Sequence, residues 1–160
     1  MKVHDLMVWE AEACRPDSDL AEAAMIMWRK DCGFVPVIEP PGRKLVGVIT
    51  DRDICMATAT KHKDPHSIQV GEVMSRKLYT CSPTDDVRVA AKTMKEGLVR
   101  RLPVTDEKGV LRGVISLNDL VLAAGRAAKA GAGLAQPEVM DLIQAISTHR
   151  TETALVSSAG

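Results

Sequence analysis

The sequence has few aromatic residues, with two Trp, one Tyr and one Phe among 160 residues. Proteins that bind single-stranded nucleic acid stack bases on such rings, so this scarcity argues against that class. The 21 basic residues balance the 21 acidic ones, and a chain without net charge has no general field that attracts a polyanion. We therefore expect no nucleic-acid partner and a core built from Val, Leu, Ile, Met and Ala.

Long apolar runs are also missing. No stretch approaches the roughly 18 residues that a membrane-spanning helix needs, and Met1–Asp5 lacks the apolar start of a signal peptide. We expect a cytoplasmic protein with no membrane association. The four cysteines, at positions 14, 32, 55 and 81, show no Cys-x-x-Cys spacing. In a reducing compartment buried cysteine usually acts as a small apolar residue, so structural thiols are favoured over disulfides.

The sequence contains an internal repeat. Residue n matches residue n+67 through the first part of the repeat, and the offset becomes 66 after one turn. The matched segments are Cys14–Pro16 with Cys81–Pro83, Pro36–Val37 with Pro103–Val104, and Gly47–Thr50 with Gly113–Ser116. A fixed offset that changes only at a turn indicates two tandem copies of one folding unit. At this length we expect a single compact domain in which both copies share one core.

Each copy is predicted to fold as strand, helix, strand, strand, helix. The first strand is placed near Ala11–Cys14, before a turn that supplies N-cap residues. Apolar residues then recur at i, i+3, i+4 and i+7, which is typical of a helix with one buried face; they are Leu20, Ala23, Ala24 and Met27, and Val87, Ala90, Ala91 and Met94. Hairpins are predicted at Phe34–Ile38 with Leu45–Thr50, and at Arg101–Thr105 with Val110–Ser116.

The predicted boundaries place copy 1 at residues 1–66 and copy 2 at 67–130. Residues 131–160 form a C-terminal linker and a short amphipathic helix with a frayed end at 151–160. Pro137 can open this helix, and one face carries Val139, Leu142, Ile143 and Ile146. Two roles are open for it: a cap on the core of its own chain, or an appendage that packs across a dimer partner.

The ordered motifs, each occurring twice, resemble the CBS (cystathionine β-synthase) domain, and two tandem copies look like a Bateman module. The resemblance covers about Val3 to Ala128. It implies an α/β fold of the α+β type, in which two βαββα units pack about a pseudo-twofold axis and leave two clefts. In this family the clefts often hold AMP, ADP, ATP, S-adenosylmethionine or NAD. The resemblance thus implies a regulatory module without a required cofactor, a parallel or antiparallel homodimer, and an unidentified protein target.

Thr50 and Asp53, and likewise Ser116 and Asp119, stand where a strand gives way to a helix. Free backbone N–H groups and the positive helix end make this a site for phosphate. A hydroxyl there can donate to a phosphate oxygen, and a carboxylate one turn later can accept from both ribose hydroxyls. The alternative is a capping box, in which the same side chains satisfy only their own backbone. Both interpretations are compatible with an empty site.

By position in the family, the adenine wall of each cleft comes from the opposite copy. The Asp53 cleft would combine Thr50 and Asp53 with Leu78, Tyr79, Val99, Arg100, Arg101 and Pro103. The Asp119 cleft would combine Ser116 and Asp119 with Ala11, Glu12, Cys32, Gly33, Phe34 and Pro36. Arg101 can pair with a phosphate whereas its counterpart Phe34 cannot. We expect a phosphorylated nucleotide, AMP first, in the Asp53 cleft, and a less charged adenosyl group or nothing in the other.

Other interpretations remain open at this point. Arg100 and Arg101 could instead protect an exposed strand edge by their charge. The protein could be a ligand-free structural or dimerisation module. A metal or redox sensor would draw on the cysteines, His62 or His66, but their spacings are wide and irregular. An enzyme is the weakest alternative: there is no Walker loop or Ser-His-Asp spacing, so no catalytic residue is expected.

Overall fold

The computed structural model describes residues 1–127 and 133–148. The predicted frayed end at 151–160 lies outside the described residues. The helices are α1 (Leu20–Lys30), α2 (Asp51–Lys61), α3 (Val87–Gly97), α4 (Leu117–Ala127) and α5 (Gln136–Ser147). The strands are β1 (Val8–Trp9), β2 (Phe34–Glu39), β3 (Lys44–Thr50), β4 (Arg101–Thr105) and β5 (Leu111–Ser116), and short 3₁₀ helices occupy Val3–Asp5, Pro65–Ser67 and Val70–Glu72. In the described part of the chain, no helix has the length and apolarity that crossing a bilayer requires.

Two equivalent antiparallel hairpins form the sheets. In the first, β2 pairs with β3 and Phe34 lies opposite Thr50. In the second, β4 pairs with β5 and Arg101 lies opposite Ser116. Both ladders shift register at the same point of the hairpin, after Val37 and after Val104. The hairpins therefore confirm the predicted repeat, and β1 extends only the second one, as a third strand beside β5.

The predicted first strand near Ala11–Cys14 is wrong. Cys14 makes only an isolated parallel bridge to Val37, with its N–H 3.1 Å from the Pro36 carbonyl oxygen and its own oxygen 2.9 Å from the Ile38 N–H. The next rungs of a parallel ladder would need N–H groups from Pro36 and Pro16, and proline has none. Cys81 makes the matching bridge to Val104. Each copy thus has a bridge where a strand was expected.

Capped, one-sided helices pack against the hairpins. The Asp19 side chain caps α1 by accepting from the Glu22 N–H at 2.7 Å, and Asp86 does the same for α3 through the Arg88 N–H at 3.0 Å. All four residues of the predicted stripe in α3 are buried. In α1 the stripe is only partly right, because Ile26 is buried and Ala24 is not.

The buried residues form two clusters instead of the single shared core that we expected. One contains α1, β2, β3 and α2, and the other contains α3, β4, β5, α4 and α5. Each cluster also takes in the segment that begins the other sequence copy. Val3 and Met7 pack in the second cluster, and Ile68, Val70 and Met74 pack in the first. The packing therefore crosses the predicted boundary between residues 66 and 67.

Helix α5 packs on its own chain, against α3 and α4. Val139, Leu142 and Ile146 are buried in the second cluster, and Glu138 and Asp141 form ion pairs with Arg88 at 2.9 Å and Lys95 at 2.7 Å. Of its two predicted roles, the structure shows the cap.

The equivalent face on α1 and α2 has no such cover in the described part of the chain. Met25, Met56 and Trp28 there are 53%, 51% and 83% exposed.

Candidate functional site

Thr50 ends β3 and is the N-cap of α2, so its side chain and that of Asp53 face each other across the first turn of the helix. The Thr50 hydroxyl donates to Asp53 Oδ2 at 2.7 Å, and the Thr50 backbone N–H donates to the same oxygen at 2.9 Å. The Asp53 N–H donates back to the hydroxyl at 3.2 Å. This is the capping box of the alternative interpretation.

The second copy repeats this arrangement where β5 meets α4. The Ser116 hydroxyl donates to Asp119 Oδ2 at 2.6 Å and its backbone N–H donates to that oxygen at 2.8 Å. The Asp119 N–H donates to the Ser116 hydroxyl at 3.3 Å. Among the residues whose side chains are described, 1–125 and 133–148, no donor bonds to Oδ1 of Asp53 or to Oδ1 of Asp119, since the bonds to both carboxylates go to Oδ2. Each cap thus leaves one carboxylate oxygen uncommitted.

The first cleft, which we call the Asp53 cleft, has a volume of about 770 Å³. That lies within the range of small-molecule sites. Of the eight residues predicted for it, all but Leu78 line it. Lys77 lines it on one side of Leu78 and Tyr79 on the other, as expected for an extended segment whose side chains alternate. The cleft also contains residues that sequence reasoning missed: Gly33, Phe34, Val48, Asp51, Arg52, Ser75, Gly97 and Leu98.

The second cleft, the Asp119 cleft, is smaller at about 420 Å³. Of its eight predicted residues, all but Gly33 line it, and Gly33 lines the Asp53 cleft instead. Further lining residues that were not predicted are Val8, Trp9, Glu10, Ile26, Lys30, Asp31, Arg101, Val114 and Asn118. Trp9 and Glu10 belong to the segment that crosses from copy 1 to β5, so their position depends on a packing that the repeat does not reveal.

Arg101 and Phe34 each line both clefts. The sequence assigns Arg101 to the Asp53 cleft and Phe34 to the Asp119 cleft, and each residue lines the cleft predicted for it and the other cleft as well. The two residues occupy equivalent positions, as the first residues of β4 and β2. In the hairpin of its own copy, Phe34 lies opposite Thr50 and Arg101 lies opposite Ser116. Each residue thus lies beside the cleft that contains the N-cap residue of its own copy, in addition to the cleft predicted for it. A side chain at this position therefore meets both cavities.

The two clefts differ in charge. Six charged residues line the Asp53 cleft, of which four are basic: Arg52, Lys77, Arg100 and Arg101, against Asp51 and Asp53. Six charged residues also line the Asp119 cleft, of which four are acidic: Glu10, Glu12, Asp31 and Asp119, against Lys30 and Arg101. Among the described residues, Arg100 and Arg101 form no ion pair. Glu12 is paired with Lys30 at 3.6 Å and with Arg29 at 3.4 Å.

The cysteines divide into core and surface thiols. Cys14 and Cys81 are buried, and desolvation raises the pKa of each thiol to about 12. Such thiols are protonated at neutral pH, and only the thiolate reacts or binds metal. Cys32 is half-buried and donates to the Phe34 carbonyl oxygen at 3.4 Å, and Cys55 is exposed. Within the described ranges, no three His, Cys, Asp or Glu side chains converge as metal ligands would.

Comparison with known proteins agrees with this architecture. The CBS domain family model matches twice, at residues 3–59 and 70–126. The CBS domain-containing protein YhcV of Bacillus subtilis is 32% identical over 132 residues, which are 82% of this chain and 91% of that protein. The CBS domain pair of protein MJ0100, solved with 5-methylthioadenosine and S-adenosyl-L-methionine, is 25% identical and superposes with a TM-score of 0.71 over 79% of this chain and 97% of that chain. CBSX2 in complex with AMP is 25% identical, with a TM-score of 0.68 over 79% and 98%. This chain belongs to the CBS domain family, with two copies arranged as a CBS domain pair.

Proposed function

We propose that the protein is a regulatory module that binds an adenosine-containing ligand in the clefts between its two CBS copies and has no catalytic activity of its own. The observation that carries this proposal is the Asp53 cleft. It has the size of a nucleotide site, a helix N-terminus with a free carboxylate oxygen, and more basic than acidic residues. The adenosine ligands of the two similar CBS pairs support the same choice.

The Asp53 cleft offers a group for each part of AMP. We place the phosphate at the N-terminus of α2, where Arg101 supplies a guanidinium that can bind two phosphate oxygens. The Thr50 hydroxyl can donate to this phosphate once it releases Asp53 Oδ2, which the Thr50 backbone N–H still holds. Asp53 Oδ1 is free to accept from the ribose hydroxyls while Oδ2 keeps the cap. Tyr79 and Val99 provide an apolar wall for adenine. We therefore favour AMP, and the other adenosine phosphates as competitors, for this cleft.

The Asp119 cleft has the same capping geometry but the opposite balance of charge. Its four carboxylates repel a phosphate group and favour a neutral or cationic substituent on the ribose. Its smaller volume of about 420 Å³ also suits adenosine without a chain of phosphates. We propose that it takes an adenosyl compound such as S-adenosylmethionine, or stays empty.

A thermal unfolding scan of nucleotide-free protein tests the proposal. The panel contains AMP, ADP, ATP, S-adenosylmethionine and NAD, with GMP as the control for the base. A ligand at 100 times its dissociation constant adds about 2.7 kcal/mol to the free energy of unfolding, which raises the midpoint by roughly 5 to 10 °C at this chain length. We expect a shift with one or more adenosine compounds and none with GMP. An unchanged midpoint throughout would refute ligand sensing and favour a structural dimerisation module.

We further propose that the protein is a cytoplasmic homodimer that pairs through the face of α1 and α2. Met25, Trp28 and Met56 expose apolar side chains there, whereas α5 of the same chain covers the equivalent face of copy 2. A second copy presenting the same face would bury both patches around a twofold axis. The change of Trp28→Glu places a charge in this contact, so light scattering should show a monomer. Val89→Glu, an exposed apolar site on α3, is the matched control and should remain dimeric.

A further inference from the structure

Arg101 is the only arginine shared by the two clefts in the described part of the chain. It lines the Asp53 cleft together with Arg52 and Arg100, but neither of these reaches the Asp119 cleft. The equivalent position in copy 1 holds Phe34, which cannot bind an anion. The pair of clefts thus has one shared guanidinium where full symmetry would give two.

We propose that Arg101 couples the two clefts so that a phosphorylated ligand in one excludes a phosphorylated ligand from the other. This inference rests on the proposed function, because it requires that the clefts bind adenosine compounds. A guanidinium that turns its fork into one cleft to bind a phosphate through two parallel hydrogen bonds has fewer N–H donors left for the other cleft. The Asp53 cleft has three other basic residues that attract a phosphate, so Arg101 binds the phosphate in that cleft.

When Arg101 binds a phosphate in the Asp53 cleft, the charge balance of the Asp119 cleft also changes. Without its guanidinium, the Asp119 cleft keeps only Lys30 against four carboxylates, and Lys30 is already 3.6 Å from Glu12. That cleft then repels a second phosphate more strongly and attracts a cation more strongly. AMP in the Asp53 cleft should thus strengthen binding of a cationic adenosyl compound, such as the sulfonium of S-adenosylmethionine, in the other cleft. Linkage requires the effect to be reciprocal.

Isothermal titration calorimetry of the full chain tests the coupling. Wild-type protein should bind one AMP per chain tightly and a second one about 10- to 100-fold more weakly or not at all. Saturation with AMP should tighten S-adenosylmethionine binding by about 5-fold or more. In Arg101→Ala the tight AMP site should weaken by about 10- to 100-fold, and the dependence of S-adenosylmethionine binding on AMP should disappear.

Two pairs of variants separate coupling between the clefts from a simple loss of positive charge: Arg100→Ala with Arg101→Ala, and Phe34→Arg with Phe34→Leu. Arg100→Ala removes a basic residue that lines only the Asp53 cleft, so it should weaken AMP binding yet keep the coupling. Phe34→Arg gives the protein a second guanidinium and should raise AMP binding to two per chain. Phe34→Leu removes the ring without adding charge and should stay at one. Circular dichroism of each variant establishes that it is folded.

The outcomes distinguish the coupling through Arg101 from the proposed binding of adenosine compounds. Two equal AMP sites in wild-type protein, or coupling that survives Arg101→Ala, would refute the shared-arginine inference and leave adenosine binding intact. So would a Phe34→Arg variant that behaves like Phe34→Leu. Wild-type protein that binds no adenosine compound would refute both.

Discussion

Removing Asp53 and Asp119 one at a time separates their capping role from ligand binding. The two capping boxes are nearly identical, with hydroxyl-to-carboxylate distances of 2.7 and 2.6 Å and backbone-to-carboxylate distances of 2.9 and 2.8 Å. Replacing either residue by Ala should therefore cost a similar free energy of unfolding. Each loses a backbone hydrogen bond to a charged acceptor, which is worth about 1.5 to 3 kcal/mol. The unfolding midpoint of both variants should fall by about 3 to 12 °C.

The response to AMP should differ between these two variants. Asp119→Ala keeps the Asp53 cleft and should show the full AMP shift. Asp53→Ala loses the acceptor for the ribose hydroxyls, and hydrogen bonds to charged groups are worth about 1.5 to 3 kcal/mol each, so AMP affinity should fall by about 10-fold or more.

Charge alone predicts the opposite result, because removing Asp53 also removes repulsion of the phosphate. Calorimetry with AMP decides between these effects. Equal or tighter AMP binding by Asp53→Ala would refute the ribose role that we assign to this carboxylate.

Three further predictions concern stability. Gly97→Ala places a Cβ 2.9 Å from the Tyr79 ring; the ring must move, so urea unfolding should show a loss of about 1 to 3 kcal/mol, and an unchanged stability would contradict this contact. Leu142→Ala should cost about 2 to 5 kcal/mol because it empties a buried site under α5, whereas the exposed Met140→Ala should stay within about 0.5 kcal/mol. Burial raises the pKa of Cys14 and Cys81 from 9.0 to about 12, so the folded state holds protons that the unfolded state releases between these values. The contribution of these thiols to stability should be constant below pH 9 and fall above it by about 1.4 kcal/mol per pH unit for each thiol; Cys14→Ala should reduce the slope of unfolding free energy against pH in this range by the share of one thiol, and an unaltered slope would contradict this origin.

The local signals in the sequence were sufficient to predict the hairpins and helices. Pro40, Pro41 and Gly42 mark the first reversal and Gly109 marks the second. The aspartate N-caps mark the starts of α1 and α3. The same signals could not show that Ala11–Cys14 is not a strand. That outcome depends on which N–H groups the neighbouring strand offers, and Pro36 becomes the neighbour only once the chain has folded. Pairing partners are thus a tertiary property that local propensity does not encode.

The sequence also predicts the residues of the two clefts only in part. Most residues predicted from sequence position line their cleft, and the exceptions are Leu78, whose neighbours Lys77 and Tyr79 line the Asp53 cleft, and Gly33, which lines the other cleft. More than half of the lining residues of each cleft were not predicted. It also gave each residue to a single cleft. Arg101 contradicts that assumption because it begins a strand where two cavities adjoin, a relation that arises from three-dimensional packing. Whether these residues bind a ligand stays a prediction.

The crossing of the N-terminal segments determines the order in which the chain can complete its fold. The first unit is complete only when Ile68, Val70 and Met74 have been added, although they belong to the second sequence copy. Val8 can pair only later still, because its partner Val114 is synthesised 106 residues after it. A ribosome makes the chain from the N-terminus, so the segment that is made first finds its place near the end. Duplication of the repeat has thus produced two units that each need the other's opening residues, and neither copy can be removed without leaving the remaining one with an unfilled core.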